Sequence, residues 1–306
     1  MSAPDPPVIE LAGLSKTYGR RKGAVHAVCD VSLSVRAGEV YGFLGPNGAG
    51  KSTTIRMLLG LISPTAGNVR LFGRDLGSEP AVLRRVGSLV DGGAFYPFLS
   101  GRKNLEVLAK THGGGAERID EMLDQVGLAR DARRKVKGYS TGMRQRLGVA
   151  AALLNDPDVV ILDEPVNGLD VAGIQEMRTL IRRLAAERGK AVFLSSHLLH
   201  EVQQVCDRVG IIASGRMIRE STIEDLLRQD DGLRIDATPA ETAAAALECR
   251  WKVERDGSGL IVRATRAEAP EVVRMLVAAG VDVHSLAAEQ RNLEEVFLAM
   301  TQEGEG

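Results

Sequence analysis

The stretch Gly45 to Thr53, GPNGAGKST, matches G-x-x-x-x-G-K-[ST] and decides how the chain is read. An apolar run precedes it (Val40, Tyr41, Phe43, Leu44) and a helix-spaced run follows it (Ile55, Met57, Leu58, Leu59), so its context is strand, loop, helix. Glycines let the backbone wrap with its N–H groups pointing inward, and those donors plus the helix N-terminus make a nest for phosphate oxygens. Lys51 adds a point charge for the β and γ phosphates, and the Ser52 hydroxyl suits Mg²⁺. Gly45, Pro46, Asn47, Gly48, Ala49, Gly50, Lys51, Ser52 and Thr53 are therefore the candidate nucleotide cradle. A ligand-free turn between strand and helix is the alternative, and the complete pattern with correct flanks argues against it.

Upstream, residues 8 to 44 alternate apolar and polar positions in short runs broken by Gly19, Gly23 and Gly38, which predicts several strands ending in the phosphate loop. Tyr18 stands at the end of the first run. It is either a stacking platform for an adenine face or a half-buried tyrosine beside a turn. Downstream, Asn68 to Phe72 and Val86 to Val90 are strand candidates, and Ser100 is placed to cap a helix through Leu105 and Leu108. The pattern stays mostly helical to about Leu154, as a helical insertion (about 100–154) in an α/β frame. Strand and helix then alternate: Val159 to Leu162, Ile174 to Ala186, Ala191 to Leu194 and Val209 to Ala213, with Ser221-x-x-Glu224 read as a capping box. Asp230, Asp231 and Gly232 mark a change of character, so residues 8–228 form a layered α/β domain and 233–306 a small α+β domain.

VVILDEP, Val159 to Pro165, is the second anchor. A phosphate loop needs a carboxylate that reaches Mg²⁺ through water, and the C-terminal end of a neighbouring buried strand is a rigid place for one. Asp163 fits that role. Glu164, one residue on, is positioned to orient or deprotonate the water attacking the γ-phosphate. Ser140 and Gly142, in GYSTG, stand at the start of the helix containing Leu147, where free N–H groups and the helix dipole favour an anion.

Composition bounds the partners. The 306 residues are 44% apolar, enough for a large domain and a small one. Lys plus Arg (39) nearly balances Asp plus Glu (40), so no global field draws the chain to nucleic acid or an anionic membrane. The start MSAPDPPVIE is no secretory signal, and no apolar stretch approaches the roughly 20 residues that span a bilayer, so a soluble chain is expected. Cys29, Cys206 and Cys249, far apart and without CxxC spacing, are expected to be small buried residues in a reducing cytoplasm.

Taken together, these stretches make the chain resemble the ATP-binding subunit of an ABC transporter over residues 8 to 228. Beyond the two anchors, the likeness rests on YSTGMRQR (Tyr139 to Arg146) as signature, NGLD (Asn167 to Asp170) as D-loop and SSH (Ser195 to His197) as switch histidine, in the family's order. The resemblance implies a P-loop ATPase core with N-terminal antiparallel strands and a helical insertion, binding ATP and Mg²⁺. It implies that His197 contacts the γ-phosphate, and that Ser140, Gly142 and Asp170 serve the nucleotide held by Lys51 of a second copy. ATP would then close a head-to-tail homodimer and hydrolysis would open it. It further implies a separate transmembrane permease as partner, no nucleic acid, and a position at the cytoplasmic face of the cell membrane, peripheral through the permease.

Where most of the family has glutamine, this chain has Asp91, a possible further Mg²⁺ ligand. VGSLVDGGAFYPFLS and YSTGM resemble the subgroup exporting antibiotics, lantibiotic peptides or other hydrophobic compounds. NLEEVFLAMT, Asn292 to Thr301, is similar to the end of the extra C-terminal domain of drug-export subunits.

Rival readings have distinct signatures. GYSTG is also G-x-S-x-G, and Ser140, Asp163 and His197 follow the order of a hydrolase triad, but DARRKVKG before it is no strand and GPNGAGKST would be left unused. HLLHE, with His197, His200 and Glu201, suggests a metal cluster but is not H-E-x-x-H. A plain structural role for His197 is the third possibility. A soluble ABC-type ATPase acting on ribosomes or nucleic acid, or an importer subunit, keeps the ATPase and changes the partner.

Overall fold

The computed structural model describes residues 6–19, 23–90, 92–228, 232–257 and 259–288. The chain divides into two compact units, Met1–Ile223 and Glu224–Gly306, a few residues before the Asp230–Gly232 change of composition.

In the first unit, β1 (Ile9–Tyr18), β2 (Val25–Val35), β4 (Ala66–Leu71) and β5 (Arg74–Asp75) form an antiparallel sheet in the order β2-β1-β4-β5. The second sheet has β3 (Val40–Leu44) near its centre. It joins β6 (Val86–Leu89), β7 (Val159–Asp163), β8 (Ala191–Ser196), β9 (Arg208–Ala213) and β10 (Arg216–Thr222) in the order β10-β9-β3-β8-β7-β6. All its pairings are parallel except β10 with β9. Strands β3, β7 and β8 are buried at every residue, as strands covered on both faces should be, including the polar Asp163, Ser195 and Ser196 at their C-terminal ends. Tyr41 stacks on Phe193 at 5.7 Å between ring centroids, locking β3 to β8. The Tyr41 hydroxyl donates to Glu220 Oε1 at 2.9 Å, and burial first, then Glu220, raises its pKa well above the ordinary phenol value.

Helix α1 (Lys51–Leu58) follows the phosphate loop. The expected helical segment holds α2 (Gly101–His112), α3 (Ile119–Gln125) and α4 (Thr141–Leu153), with Ser100 capping α2 by accepting from Lys103 N at 3.2 Å. Helix α4 does more than fill an insertion, because it packs on β6. A Cβ on Gly87 would stand 1.9 Å from the Ala152 carbonyl oxygen. Gly87→Ala is therefore expected to cost about 1–3 kcal/mol by overpacking, read as a fall of several degrees in melting temperature. An unchanged melting curve would show that β6 and α4 can separate freely.

Helices α5 (Val171–Ala186) and α6 (Leu199–Val205) complete the unit, and α7 (Ile223–Arg228) begins at the boundary. Here one expectation is corrected. Ser221 is no helix cap: it lies in β10, opposite Val209, and α7 starts two residues later. The ladder hydrogen bonds of β10, invisible to local pattern, take precedence over the short-range capping signal. The cysteines also differ from expectation. Cys206 is buried, and burial pushes its thiol pKa up, but Cys29 is only half-buried and Cys249 is exposed.

The second unit is β11 (Leu233–Thr238), α8 (Ala240–Leu247), β12 (Val253–Asp256), β13 (Gly259–Val262), α9 (Ala269–Ala278) and β14 (Asp282–Ala288). Its sheet order, β12-β13-β11-β14, with every pairing antiparallel, is that of a ferredoxin-like split βαβ. Along β11 burial alternates strictly, and Leu233, Ile235 and Ala237 meet Leu247 of α8 and Leu276 of α9 in one core. The stretch Asn292 to Thr301 lies outside the described residues.

Candidate functional site

The site is built by strand register. Phe43 and Leu44 pair with Ser195 and Ser196, and Asp163 pairs with Ser195. The C-terminal ends of β3, β7 and β8 therefore stand side by side, and the residues that leave them, Gly45, Glu164 and His197, converge. A parallel sheet offers its ligand crevice at this edge.

The phosphate loop adopts a conformation that needs its glycines. Gly48 and Gly50 have φ of 83° and 108°, and a Cβ on Gly50 would stand 2.5 Å from the Ala27 carbonyl oxygen. Gly50 is also the N-cap of α1, whose first turn carries no acidic side chain, so the positive end of the helix faces the loop. Pro46, Asn47 and Gly48 are exposed at its crest, Ala49 is buried, and Ser52 and Thr53 are half-buried in the first turn.

Lys51 is almost wholly buried, at 5% exposure, and its ammonium donates to the Gly45 carbonyl at 2.8 Å and the Pro46 carbonyl at 3.3 Å. The third neighbour is Glu164, whose Oε1 lies 3.4 Å away. Glu164 Oε2 in turn sits 2.8 Å from His197 Nδ1. A carboxylate accepts, so Nδ1 carries the hydrogen and Nε2 is left for the crevice. One carboxylate thus bridges the phosphate-loop cation and the histidine.

Asp163 is buried and accepts from the Ser195 hydroxyl at 2.6 Å. The same Ser195 oxygen accepts from Glu164 N at 3.0 Å, and Gln145 Nε2 donates to the Glu164 carbonyl at 3.2 Å. Glu164 itself has φ of 50°, a left-handed backbone that costs a non-glycine residue about 1–2 kcal/mol. Sequence reading missed Ser195 and Gln145 as site residues, although both stand inside quoted motifs. The available signal was polarity where burial is expected: Ser195 directly follows the apolar run Ala191 to Leu194.

A second group forms at the starts of α4 and α5. Ser140 is exposed, and its oxygen accepts from Met143 N at 3.2 Å, leaving its hydrogen to donate outward. Arg144 donates to the Tyr139 carbonyl at 2.7 Å and brings positive charge beside that cap. Asp170 caps α5 by accepting from Gly173 N at 2.9 Å. Leu169 packs on Gly142, where an added Cβ would meet its Cδ2 at 2.9 Å. Leu169 thus brings the starts of α4 and α5, with Ser140, Gly142 and Asp170, side by side.

Tyr18 ends β1 at 41% exposure, with Lys16 Nζ 5.2 Å from its ring centroid, so its ring is partly open to solvent at the end of the strand. Asp91 lies outside the described residues. Two rival constellations do not assemble: Asp163 bonds Ser195 and His197 bonds Glu164, so no Ser140–His197–Asp163 relay exists, and Ser140 follows a short 3₁₀ turn (Val136–Gly138) instead of a strand. Nor do His200 and Glu201 join His197 in a metal site. Glu201 pairs with Arg178 at 2.6 Å, and His200 Nε2 lies 2.9 Å from Gln204 Nε2.

The donors fit a metal nucleotide. Ser52 offers a hydroxyl and Asp163 a carboxylate, hard oxygens of the kind Mg²⁺ takes, beside a loop whose amides and ammonium match phosphate.

Comparison with known proteins identifies the family. A family model described as ABC transporter matches residues 28–167. An uncharacterized ABC transporter ATP-binding protein, YhcH of Bacillus subtilis (strain 168), is 40% identical over 97% of this chain and 96% of its own length. The bacitracin transport ATP-binding protein BcrA of Bacillus licheniformis is 39% identical over 96% of this chain and 97% of its own. The dimeric structure of the ATP-binding cassette MJ0796, in a post-hydrolysis state bound to ADP and Pi, superposes with a TM-score of 0.64. It is 25% identical, over 70% of this chain and 98% of that one.

Proposed function

Since the chain belongs to the ABC transporter family, as one of its ATP-binding subunits, we propose that it hydrolyses ATP to drive a separate membrane permease that exports an antibiotic, drug or other hydrophobic compound. The observation that carries the chemistry is the line Lys51, Glu164, His197, with separations of 3.4 Å and 2.8 Å around one carboxylate. The phosphate-loop amides and Lys51 hold the phosphates. Glu164 orients and deprotonates the attacking water. His197 Nε2 contacts the γ-phosphate. Ser52 and Asp163 would hold Mg²⁺, which would neutralise phosphate charge. Tyr18 stacks on the adenine.

Two chains meet head to tail. Ser140 and Gly142 of each, at the N-terminus of α4, bind the γ-phosphate held by Lys51 of the other, with Asp170 alongside. ATP closes the pair and hydrolysis opens it. Among the described residues no helix is long and apolar enough to cross a membrane. In this reading the permease supplies the translocation path and this subunit sits on it at the cytoplasmic face. Export of an antibiotic-like cargo rests on the relative named for bacitracin transport.

The test is to isolate tagged Glu164→Gln protein with ATP and Mg²⁺ from detergent-solubilised membranes of its native host. A stoichiometric polytopic membrane protein is the expected companion. Recovery of ribosomes or nucleic-acid-bound complexes in its place would overturn the transport assignment. Accumulation of cargo in cells expressing the pair, where efflux is expected, would overturn the direction.

A further inference from the structure

Glu164 is held through its backbone as well as its carboxylate. Its φ of 50° is rare for an L side chain, and the following Pro165 restricts that backbone further. Side chains from two other elements grip the peptide units on either side of its Cα. From β8, Ser195 Oγ accepts from the Glu164 N–H at 3.0 Å. From α4, Gln145 Nε2 donates to the Glu164 carbonyl at 3.2 Å. Ser195 also donates to Asp163 Oδ1 at 2.6 Å, so one hydroxyl ties the main chain of Glu164 to the side chain of Asp163.

Both gripping residues are closed to solvent, Ser195 at 0% and Gln145 at 7% exposure. Gln145 Oε1 is buried with no hydrogen-bond partner. An apolar side chain of the same length would fill the same space without that orphaned acceptor, so packing alone does not account for an amide here. Its contribution lies in the donor, and the donor reaches Glu164.

We propose that Ser195 and Gln145 are positioning residues for ATP hydrolysis, clamping Glu164 from both sides so that its carboxylate stays between Lys51 and His197. The inference rests on Glu164 being the group that orients and deprotonates the attacking water. Without the clamp, the residue relaxes toward an ordinary backbone conformation and its carboxylate leaves the line. Phosphate binding by the loop is untouched, because neither clamp residue belongs to it.

The experiment compares Ser195→Ala and Gln145→Met, each alone and combined with Glu164→Gln, by steady-state ATP turnover, equilibrium ATP binding and thermal unfolding. Each single variant is expected to lower kcat by about tenfold or more, as displaced catalytic groups do. KM and ATP affinity should stay within about twofold. Gln145→Met removes the orphaned Oε1 but leaves the Glu164 carbonyl without this donor, so its melting temperature should stay close to the parent's, and a residue that only packs would not lose turnover at constant stability. In the Glu164→Gln background Gln145→Met should not reduce the residual rate further, because Gln145 acts only through Glu164, whereas Ser195 also holds Asp163.

An unchanged kcat, a kcat loss that merely follows a loss of ATP affinity, or a Gln145→Met loss that multiplies with Glu164→Gln would overturn the clamp. If Ser195→Ala does not fold, Gln145→Met decides alone. Parent-like turnover by Glu164→Gln itself would instead overturn the role of Glu164, and the clamp with it.

Discussion

Glu164→Gln is expected to lower ATP turnover by about 10²–10⁴-fold while leaving ATP binding intact or tighter. Glutamine keeps the length and one oxygen acceptor, so His197 Nδ1 retains a partner at the position where Oε2 now lies 2.8 Å away. What disappears is the ability to take a proton and the negative charge 3.4 Å from the Lys51 ammonium. That charge competes with phosphate for Lys51, so its removal does not weaken nucleotide binding. Phosphate release measured beside equilibrium ATP binding separates the two effects. Turnover within a few-fold of the parent would sink the assignment of Glu164.

The second large effect is loss of nucleotide affinity in Lys51→Ala. Hydrogen bonds to a charged group contribute about 1.5–3 kcal/mol, so affinity for ATP should fall roughly 10- to 150-fold. The ammonium is already pre-organised, at 5% exposure and bonded to the carbonyls of Gly45 and Pro46, so little ordering entropy is lost when phosphate arrives. Arginine is a poor substitute, since its planar fork does not fit a pocket shaped around a compact ammonium. Lys51→Met keeps the stem packed and isolates the charge. Titration calorimetry reads the affinity, and thermal unfolding shows whether the loop survived. ATP affinity equal to the parent in both variants would remove Lys51 from the site.

These experiments bear on different parts of what the chain itself disclosed. The phosphate loop was legible because its chemistry is local: glycines, lysine and serine at fixed offsets between a strand and a helix act within a few residues of one another. The caps Ser100 and Ser140 were legible for the same reason, and both accept from the backbone N–H three residues on. Ser221 shows where local reading fails, since a helix cap and a strand compete for it and the pairing with Val209 wins.

Amino-acid order alone determined the strands and the residue types of the site. Runs such as Val159 to Leu162 carry no polar side chain and must be buried on both faces, and GPNGAGKST admits few other backbones. Tertiary structure decided which groups touch. The sheet order β10-β9-β3-β8-β7-β6 brings Gly45, Glu164 and His197 to one edge, although long stretches of chain separate them. It also turned Ser195 from an ordinary strand residue into the hydroxyl between two carboxylate-bearing residues, and Gln145 into a grip on the Glu164 carbonyl. The physical reason is that periodicity reports which face of an element is buried. Hydrogen-bond partners across a sheet are set by strand order and register, which exist only once the chain has folded.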